Sequence, residues 1–156
     1  MSIAITGLPA MLTSLEQLGL SIKLLQDRHQ RALDARLAAV GITLVQWHAL
    51  REIDRHPGSS QVRLAELTFN SPQAFGALVG RMEAAGLVAR DSGLGRAFAL
   101  HLTARGKQLL KEGRRPVSAA LSESFKNLNE GEHAALQRLL DKALGGALRD
   151  ARPDVP

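Results

Sequence analysis

Apolar residues recur at helical spacing near the start of the chain. From residue 12 to residue 40 they stand three, four or eight positions apart, which places them in one stripe along a predicted long helix. The stripe consists of Leu15, Leu18, Ile22, Leu25, Leu33, Leu37 and Val40. Gly41 ends this helix, and a stripe on so long a helix needs a partner to cover it.

A second and a third helix follow after short intervals. Thr43 and Gln46 form a capping box, which predicts a helix that runs to His56 and stops at Pro57. Residues 61–67 predict a short helix whose inward side chains are Val62, Ala65 and Leu67.

The next segment predicts a turn followed by a capped helix. We expect Asn70 to take the left-handed conformation in a tight turn over residues 68–70. Ser71 is suited to the N-cap of the following helix, and Pro72 is suited to its first turn. This helix ends near Gly86, and its predicted buried face consists of Phe75, Leu78, Val79 and Met82.

After that glycine the apolar period changes from helical to alternating. Val88 begins a short predicted strand, and Phe98, Leu100 and Leu102 alternate with smaller or polar residues along a second strand. Residues 92–95, with the sequence Ser-Gly-Leu-Gly, join the two strands as a hairpin.

The last third of the chain is helical in pattern. Thr103 caps a helix, and residues 105–148 continue as helix with Pro116 as a kink or a break. Asn129 and Glu132 form a capping box that begins the last helix. Its apolar stripe consists of Leu136, Leu139, Leu140, Ala143, Leu144 and Leu148. We expect the first and last stripes to pack on a second copy of the chain; the alternative is that they pack on each other within one chain.

These elements predict a mainly α fold with a small two-stranded β-wing, organised as a winged helix-turn-helix in a single domain over residues 1–156. Residues 43–106 form the winged portion. The helices over 12–40 and 116–148 form a dimerisation region, and residues 150–156 form a disordered tail.

Composition narrows the classes of function. The chain carries 20 Lys and Arg against 15 Asp and Glu, a net charge of +5 that suits an anionic partner or an ordinary surface. The absence of cysteine excludes disulfides and cysteine nucleophiles, and the histidine spacing predicts no metal site and no cofactor. No phosphate-binding loop or nucleophile elbow indicates an enzyme, and no signal peptide or membrane span is predicted. We therefore expect a cytoplasmic protein.

The order of short helix, tight turn, capped helix and hairpin is suited to reading a groove of duplex DNA. Opposite the buried face of the capped helix lie small and polar residues: Gln73, Ala74, Gly76, Ala77, Gly80 and Arg81. Gln73 can bond an adenine and Ala74 or Ala77 can contact a thymine methyl, while Arg81 contacts a phosphate or pairs with a nearby carboxylate. Two glycines on an exposed helix face cost about 1 kcal/mol each relative to alanine, which close approach of another surface would explain.

Further residues complete the predicted DNA-binding set. Arg90 and Arg96 lie on the hairpin on either side of its glycine-containing tip, where a cation can enter the minor groove or lie along phosphates. Arg63 lies in the first turn of the short helix, where its charge opposes the helix dipole unless a phosphate compensates. Ser71, at the start of the reading helix, also belongs to the set.

Four segments of the sequence resemble the core of MarR-type regulators: residues 64–67, 71–72, 81–88 and 100–106. The Leu-X-Leu-Thr-X-X-Gly sequence of the last segment is the most specific. The resemblance implies a homodimer that binds a pseudo-palindromic operator, usually as a repressor, and that a small phenolic or lipophilic effector often releases. The family usually carries Asp-Arg-Arg at the wing, where this chain has Leu94, Gly95 and Arg96. The wing then either binds DNA weakly or uses Arg90 and Arg96 in a different geometry.

Three residues are candidates for an effector pocket. Trp47 and His48 lie on the second helix, where the resemblance implies that the cavity opens, and His29 falls on the apolar stripe of the first helix. Each has a structural alternative: Trp47 as a core residue, His48 as an ordinary hydrogen-bonded histidine, and His29 as a hydrogen-bonded histidine at the dimer edge.

A second function remains open at this point. The altered wing and the modest net charge also suit a protein-interaction module that keeps the winged-helix shape with weakened or lost DNA binding. Steep salt dependence of binding separates the two, because a DNA reader releases counterions from the phosphates it neutralises.

Overall fold

The computed structural model describes residues 14–91 and 99–145. In chain order the elements are α1 (Ser14–Leu37), a 3-10 turn (Ala38–Val40), α2 (Leu44–Arg55), α3 (Gln61–Leu67), α4 (Pro72–Ala84), β1 (Val88–Arg90), β2 (Leu100–Leu102), α5 (Ala104–Phe125) and α6 (Glu130–Ala143). The two strands pair antiparallel, with Val88 opposite Leu102 and Arg90 opposite Leu100. The predicted mainly α fold with a small two-stranded wing is confirmed.

One hydrophobic core joins the end of α1 to α2, α3, α4, α5 and the strand pair. The large apolar side chains that are fully buried are Phe75, Leu37, Leu50, Leu64, Met82 and Val79. α1 packs chiefly on α5, and α3 packs on α4. The helix-turn-helix pair is therefore supported from behind by α2 and the strands.

The predicted start and buried face of α4 are both confirmed. Ser71 caps the helix by accepting a hydrogen bond from the backbone N–H of Ala74 at 3.1 Å, and Pro72 occupies the first turn. All four predicted inward residues are buried: Phe75, Leu78, Val79 and Met82. The cap fixes where the helix begins, and its buried face fixes which side remains outside.

The predicted inward face of α3 is wrong at one position. Val62 is 54% exposed, whereas Leu64, Ala65 and Leu67 are buried. Val62 lies two residues, a little over half a helical turn, from Leu64, so the two side chains cannot share a face. The short helix packs through its second half.

The left-handed residue of the α3–α4 turn is Phe69, with φ of 56°, and not Asn70 as predicted. The backbone N–H of Phe69 donates to Glu66 and that of Asn70 donates to Ala65, which is a Schellman ending. This pattern places the left-handed conformation one residue earlier than the side-chain preference of asparagine indicated. The amide of Asn70 instead donates to the carbonyl of Thr68 at 3.0 Å.

Pro116 does not break α5, which continues from Ala104 to Phe125. Gly113, Val117 and Ala120 are buried on either side of the proline, so packing holds both halves in one helix. The capping box that begins α6 is confirmed: Asn129 accepts from the N–H of Glu132, and Glu132 accepts from the N–H of Asn129.

The apolar stripes of α1 and α6 lie largely outside the core. On α1 the first half of the stripe is exposed, with Leu15 at 75% and Leu18 at 55%, and only Leu33 and Leu37 are buried. None of the residues of α6 is buried. The two stripes do not cover each other within one chain; Leu148 and the predicted disordered tail lie outside the described residues.

No helix within residues 14–91 and 99–145 has the length and apolar character that crossing a bilayer requires.

Candidate nucleic-acid interface

The outer face of α4 is exposed and built from short side chains. Gln73, Ala74, Ala77, Gly80 and Arg81 are all exposed, as is Ser71 at the N-cap. The cap leaves the first turn of α4 at the protein surface, where the positive end of the helix dipole favours an anion. Five of the predicted DNA-binding positions thereby lie together along one helix, with the exposed Gly80 among them: Ser71, Gln73, Ala74, Ala77 and Arg81.

The two glycines of α4 have different surroundings. A Cβ at Gly76 would lie 2.9 Å from the terminal side-chain nitrogen of Gln61, so an alanine there requires only that the flexible end of Gln61 shifts. A Cβ at Gly80 would meet nothing within 4 Å. Close approach of another surface therefore remains the explanation for Gly80, where no neighbour among the described residues limits the size of the side chain.

The predicted cations differ in what surrounds them. Arg81 is exposed, and no ion pair joins it to a carboxylate within the described ranges. Arg63 lies 3.3 Å from Glu66, which balances its charge within α3. Arg90 donates from Nε to Glu83 at 2.8 Å. Arg96 belongs to residues 92–98 and lies outside the described residues.

The Glu83–Arg90 pair connects the end of α4 to β1. Glu83 and Arg90 are both partly exposed, so the pair adds little stability but fixes the direction of the Arg90 guanidinium. Its two terminal nitrogens remain available for a phosphate.

The Leu-Thr-X-X-Gly sequence after the wing has a direct structural role. Thr103 caps α5 by accepting from the N–H of Gly106 at 3.0 Å, and its hydroxyl donates to the carbonyl of Gly86 at 2.6 Å. A Cβ at Gly106 would collide with the carbonyl oxygen of Leu87. The sequence therefore joins the end of α4, the wing and α5 at one point.

Trp47 is a core residue, 6% exposed. Its indole N–H donates to the carbonyl of Leu110 at 3.2 Å, and its ring lies against Gly113, where a Cβ would collide with it. Arg51 stacks above the ring at 5.4 Å from its centre. These contacts lock α2 against α5.

The two candidate histidines lie in different surroundings. His48 is half-buried next to Trp47, and burial together with the neighbouring Arg51 lowers the pKa of His48 to about 4. His29 contacts the edge of Phe125 with ring centres 4.8 Å apart, and its Nε2 is buried without a hydrogen-bond partner. Burial and the charge of Arg28 lower the pKa of His29.

A cavity of about 620 Å³ lies between α1, α2 and α4, the region in which the family resemblance implies an effector cavity, but the sequence did not indicate the residues that line it. It is lined by Asp34, Ala38, Ile42, Thr43, Val45, Gln46, Leu78 and Arg81. Asp34 holds this junction by accepting a hydrogen bond from the N–H of Leu44 at 2.8 Å. His29, Trp47 and His48 are not among the lining residues, so the three candidates and this cavity are separate places.

Glu52 is a buried charged residue that the sequence analysis did not single out. It is fully buried in α2, where Arg51 donates to it at 2.7 Å and His56 lies 3.3 Å away. A buried carboxylate needs such partners, because removing a charge from water is costly. The contacts of Glu52 lie along α2 and at its C-cap, His56.

Comparison with known proteins agrees with this architecture. Residues 40–97 match the model of the MarR family. The HTH-type transcriptional repressor Rv2887 of Mycobacterium tuberculosis is 33% identical over 112 residues, which cover 70% of this chain and 81% of the relative.

Solved structures of that mycobacterial protein share the fold. Its complex with p-aminosalicylic acid superposes with a TM-score of 0.68 at 30% identity, covering 81% of this chain and 97% of the other. Its complex with DNA gives a TM-score of 0.66 at 28% identity, covering 81% and 96%. The chain therefore belongs to the MarR family of transcriptional regulators.

Proposed function

We propose that the chain is a repressor that reads duplex DNA as a homodimer, with α4 in the major groove. The observation that carries the proposal is the outer face of α4: it is exposed, most of its side chains are short, and it includes the exposed Arg81. A helix of this kind can approach base edges closely, and the groove, about 12 Å wide, admits it. The DNA complex of the mycobacterial relative supports the same use of the fold.

The roles along α4 follow from side-chain chemistry. We assign to Gln73 a bidentate contact to adenine, and to Ala74 and Ala77 contacts to thymine methyl groups. We assign to Arg81, Arg63 and Arg90 contacts to phosphates, which position the protein without reading sequence. We assign the same role to Arg96 and Ser71. The proposal assigns no catalytic step to the chain. A transcriptional repressor acts on chromosomal DNA, which agrees with the predicted cytoplasmic location.

The exposed stripes of α1 and α6 support a homodimer. Large apolar side chains on an isolated protomer would face water, among them Leu15, Leu18, Ile22, Leu139 and Leu144. Burying both stripes against a second copy removes that surface from water and sets two α4 helices at a fixed spacing. A pseudo-palindromic operator is the DNA counterpart of such symmetry.

The cavity between α1, α2 and α4 is the effector site that we favour. Ile42, Val45 and Leu78 provide apolar walls, and Arg81 provides a cation at the edge. A small aromatic acid fits this combination, and the mycobacterial relative forms a complex with p-aminosalicylic acid. Because Arg81 belongs to both the cavity and the DNA-facing side, a bound carboxylate competes with a phosphate for the same guanidinium.

Selection of binding sequences from a random duplex pool, at two salt concentrations, tests the proposal. We expect a two-fold symmetric motif with half-sites about one helical turn apart and affinity that falls steeply with salt. In the Gln73→Ala variant the preferred base at one position of each half-site changes. Weak binding without sequence preference, or none, would favour the protein-interaction module instead.

The effector site is tested by filling the cavity. Val45→Trp places an indole in the cavity while leaving the outer face of α4 unchanged, so operator binding persists. Release by p-aminosalicylic acid, followed by fluorescence anisotropy of labelled operator, is expected to be lost. If p-aminosalicylic acid released the variant and the unmodified protein from the operator equally, the effector site would lie elsewhere. His29, Trp47 and His48 would then be the residues to test next.

A further inference from the structure

The turn between α3 and α4 contains a left-handed residue of an unusual type. In the Schellman ending of α3, the position after the C-cap takes a positive φ and is normally glycine or asparagine, because a Cβ there crowds the backbone. Here that residue is Phe69, with φ of 56°. The hydrogen bonds that define the ending are both present, from Phe69 to Glu66 at 3.1 Å and from Asn70 to Ala65 at 2.9 Å.

Other positive-φ positions within the described residues are occupied by glycine: Gly41, Gly58, Gly86 and Gly145. The end of α4 is the closest parallel, since Gly86 donates to Glu83 and Leu87 donates to Met82 in the same pattern. At the same position in the ending of α4 the chain has glycine, so the phenylalanine at position 69 is an exception.

Burial does not explain the phenylalanine. Phe69 is 81% exposed, so its ring contributes almost nothing to the core. The turn beneath it is held firmly, because the side chain of Asn70 donates to Thr68 and the hydroxyl of Thr68 donates to Leu64 at 2.8 Å. A rigid, strained turn that presents an apolar ring to solvent is typical of a binding contact.

The position of the turn indicates what the ring contacts. Phe69 is two residues before Ser71, the N-cap of α4, so their Cα atoms are at most about 7.6 Å apart. The first turn of α4 is exposed at Ser71, Gln73 and Ala74. The ring thus extends the surface that the proposed function places against DNA.

We propose that Phe69 is a DNA-contacting residue whose ring packs on apolar groups of the strand beside the first turn of α4, either a thymine methyl or a deoxyribose. The inference rests on the proposed function and adds a contact that is neither a base-edge hydrogen bond nor a phosphate pair. Apolar contact between phenylalanine and a thymine methyl is a known mode of readout in the major groove.

Four variants separate contact from strain. Phe69→Ala keeps the strained backbone and removes the ring, whereas Phe69→Gly removes both. We expect both variants to weaken binding to the selected operator by on the order of tenfold, since each half-site loses one apolar contact. Of these two variants, only Phe69→Gly relieves the strained backbone, so only it should melt at a higher temperature than the unmodified protein, by about 2–4 °C. Phe69→Leu, which keeps apolar surface and strain, binds within about threefold of the unmodified protein, and Phe69→Asn, suited to this backbone but polar, binds like the glycine variant.

Fluorescence anisotropy at several salt concentrations gives the second readout. Because an apolar contact releases no counterions, the slope of affinity against salt stays unchanged in all four variants. Replacing thymine by deoxyuracil in the half-site reduces binding of the unmodified protein and not of Phe69→Ala if the contact is a methyl group. If the replacement changes the operator affinity of both proteins equally, the contact is assigned to deoxyribose.

Two results would overturn the inference. Unchanged operator affinity in Phe69→Ala and Phe69→Gly would show that the ring does not contact DNA, while leaving DNA reading by α4 intact. A loss confined to the glycine and asparagine variants would attribute the effect to turn conformation. If the unmodified protein selects no DNA sequence, the proposed function fails first and this inference fails with it.

Discussion

His48 gives the protein a defined response to acid. Burial and Arg51 lower its pKa to about 4, from 6.5 in the unfolded chain. Between these two values the unfolded chain takes up a proton that the folded protein does not, so stability falls as the pH falls from 6.5 towards 4. At neutral pH the His48 imidazole is largely uncharged in both the folded and the unfolded state, so it changes the free energy of unfolding little.

We therefore expect acid to destabilise the protein less when His48 is replaced by glutamine. Between pH 7 and pH 5 the unmodified protein should lose about 1–2 kcal/mol more than His48→Gln. Urea denaturation at the two pH values measures the difference, and carboxylates that titrate in both proteins cancel. An NMR titration midpoint near 6.5 for His48 would contradict the assignment.

Gly106 marks a point where no side chain fits. A Cβ there would collide with the carbonyl oxygen of Leu87, which also accepts from the backbone N–H of Thr103 at 3.1 Å. Gly106→Ala forces α5 away from the wing, and we expect a loss of about 3 kcal/mol in the free energy of unfolding. Chemical denaturation measures it, with Gly131→Ala, whose Cβ would touch only Asn129, as the control.

At the scale of the element, α4 combines a buried apolar face with an outer face on which most side chains are small. Gly80 is exposed, and a Cβ there would meet nothing within 4 Å. Gly80→Ala should stabilise the protein by about 0.5–1 kcal/mol, because alanine is the better helix former. If α4 lies as close to DNA as we propose, the same variant binds the operator more weakly.

The opposite signs make the Gly80 test decisive. Thermal unfolding gives the stability and anisotropy gives the affinity for the same preparation. Gly76→Ala is the comparison: its Cβ requires the flexible end of Gln61 to shift, so its gain in stability should be smaller than that of Gly80→Ala. A more stable Gly80→Ala with undiminished affinity would place the middle of α4 away from the groove.

The elements were largely predictable because their signals are local. Capping boxes at Thr43 and Asn129 and the Ser71–Pro72 start of α4 each depend on residues three apart, and the structure has all three. The alternation from Leu100 to Leu102 likewise predicted a strand with a buried and an exposed face. Such signals need no knowledge of the rest of the fold.

What the sequence did not predict depends on partners distant in the chain or on competing backbone preferences. Asn70 has the side chain suited to a left-handed residue, yet the hydrogen bonds that end α3 place Phe69 there. Pro116 has the strongest helix-breaking signal, yet packing of both halves of α5 outweighs it. The cavity beside Arg81 joins α1, α2 and α4, and no local pattern indicates it.

At the scale of the whole molecule, the described protomer has a complete core at one end and open apolar helices at the other. α2, α3, α4 and the strands close around Phe75 and Leu50, whereas α6 has no buried residue. The core, which includes the end of α1 and part of α5, can therefore form within one protomer, while the arrangement of two α4 helices depends on how the open stripes pair. DNA affinity and assembly are then separable by mutation.

Leu139→Asp tests this separation. Leu139 is 59% exposed in the protomer, so a carboxylate there leaves the core unchanged but is buried without a partner when two copies meet. We expect the variant to be a folded monomer with operator affinity reduced at least about a hundredfold, because one half-site is bound at a time. Sedimentation and anisotropy measure the two properties.

Ala134→Asp provides the matched control for that experiment. It adds the same charge to the same helix, but Ala134 lies on the face opposite the stripe formed by Leu136, Leu139 and Leu140. This control should remain dimeric and bind the operator normally. If Leu139→Asp also remained dimeric and bound, the α6 stripe would not be the surface that joins the two copies, and the exposed first half of α1 would have to supply the interface alone.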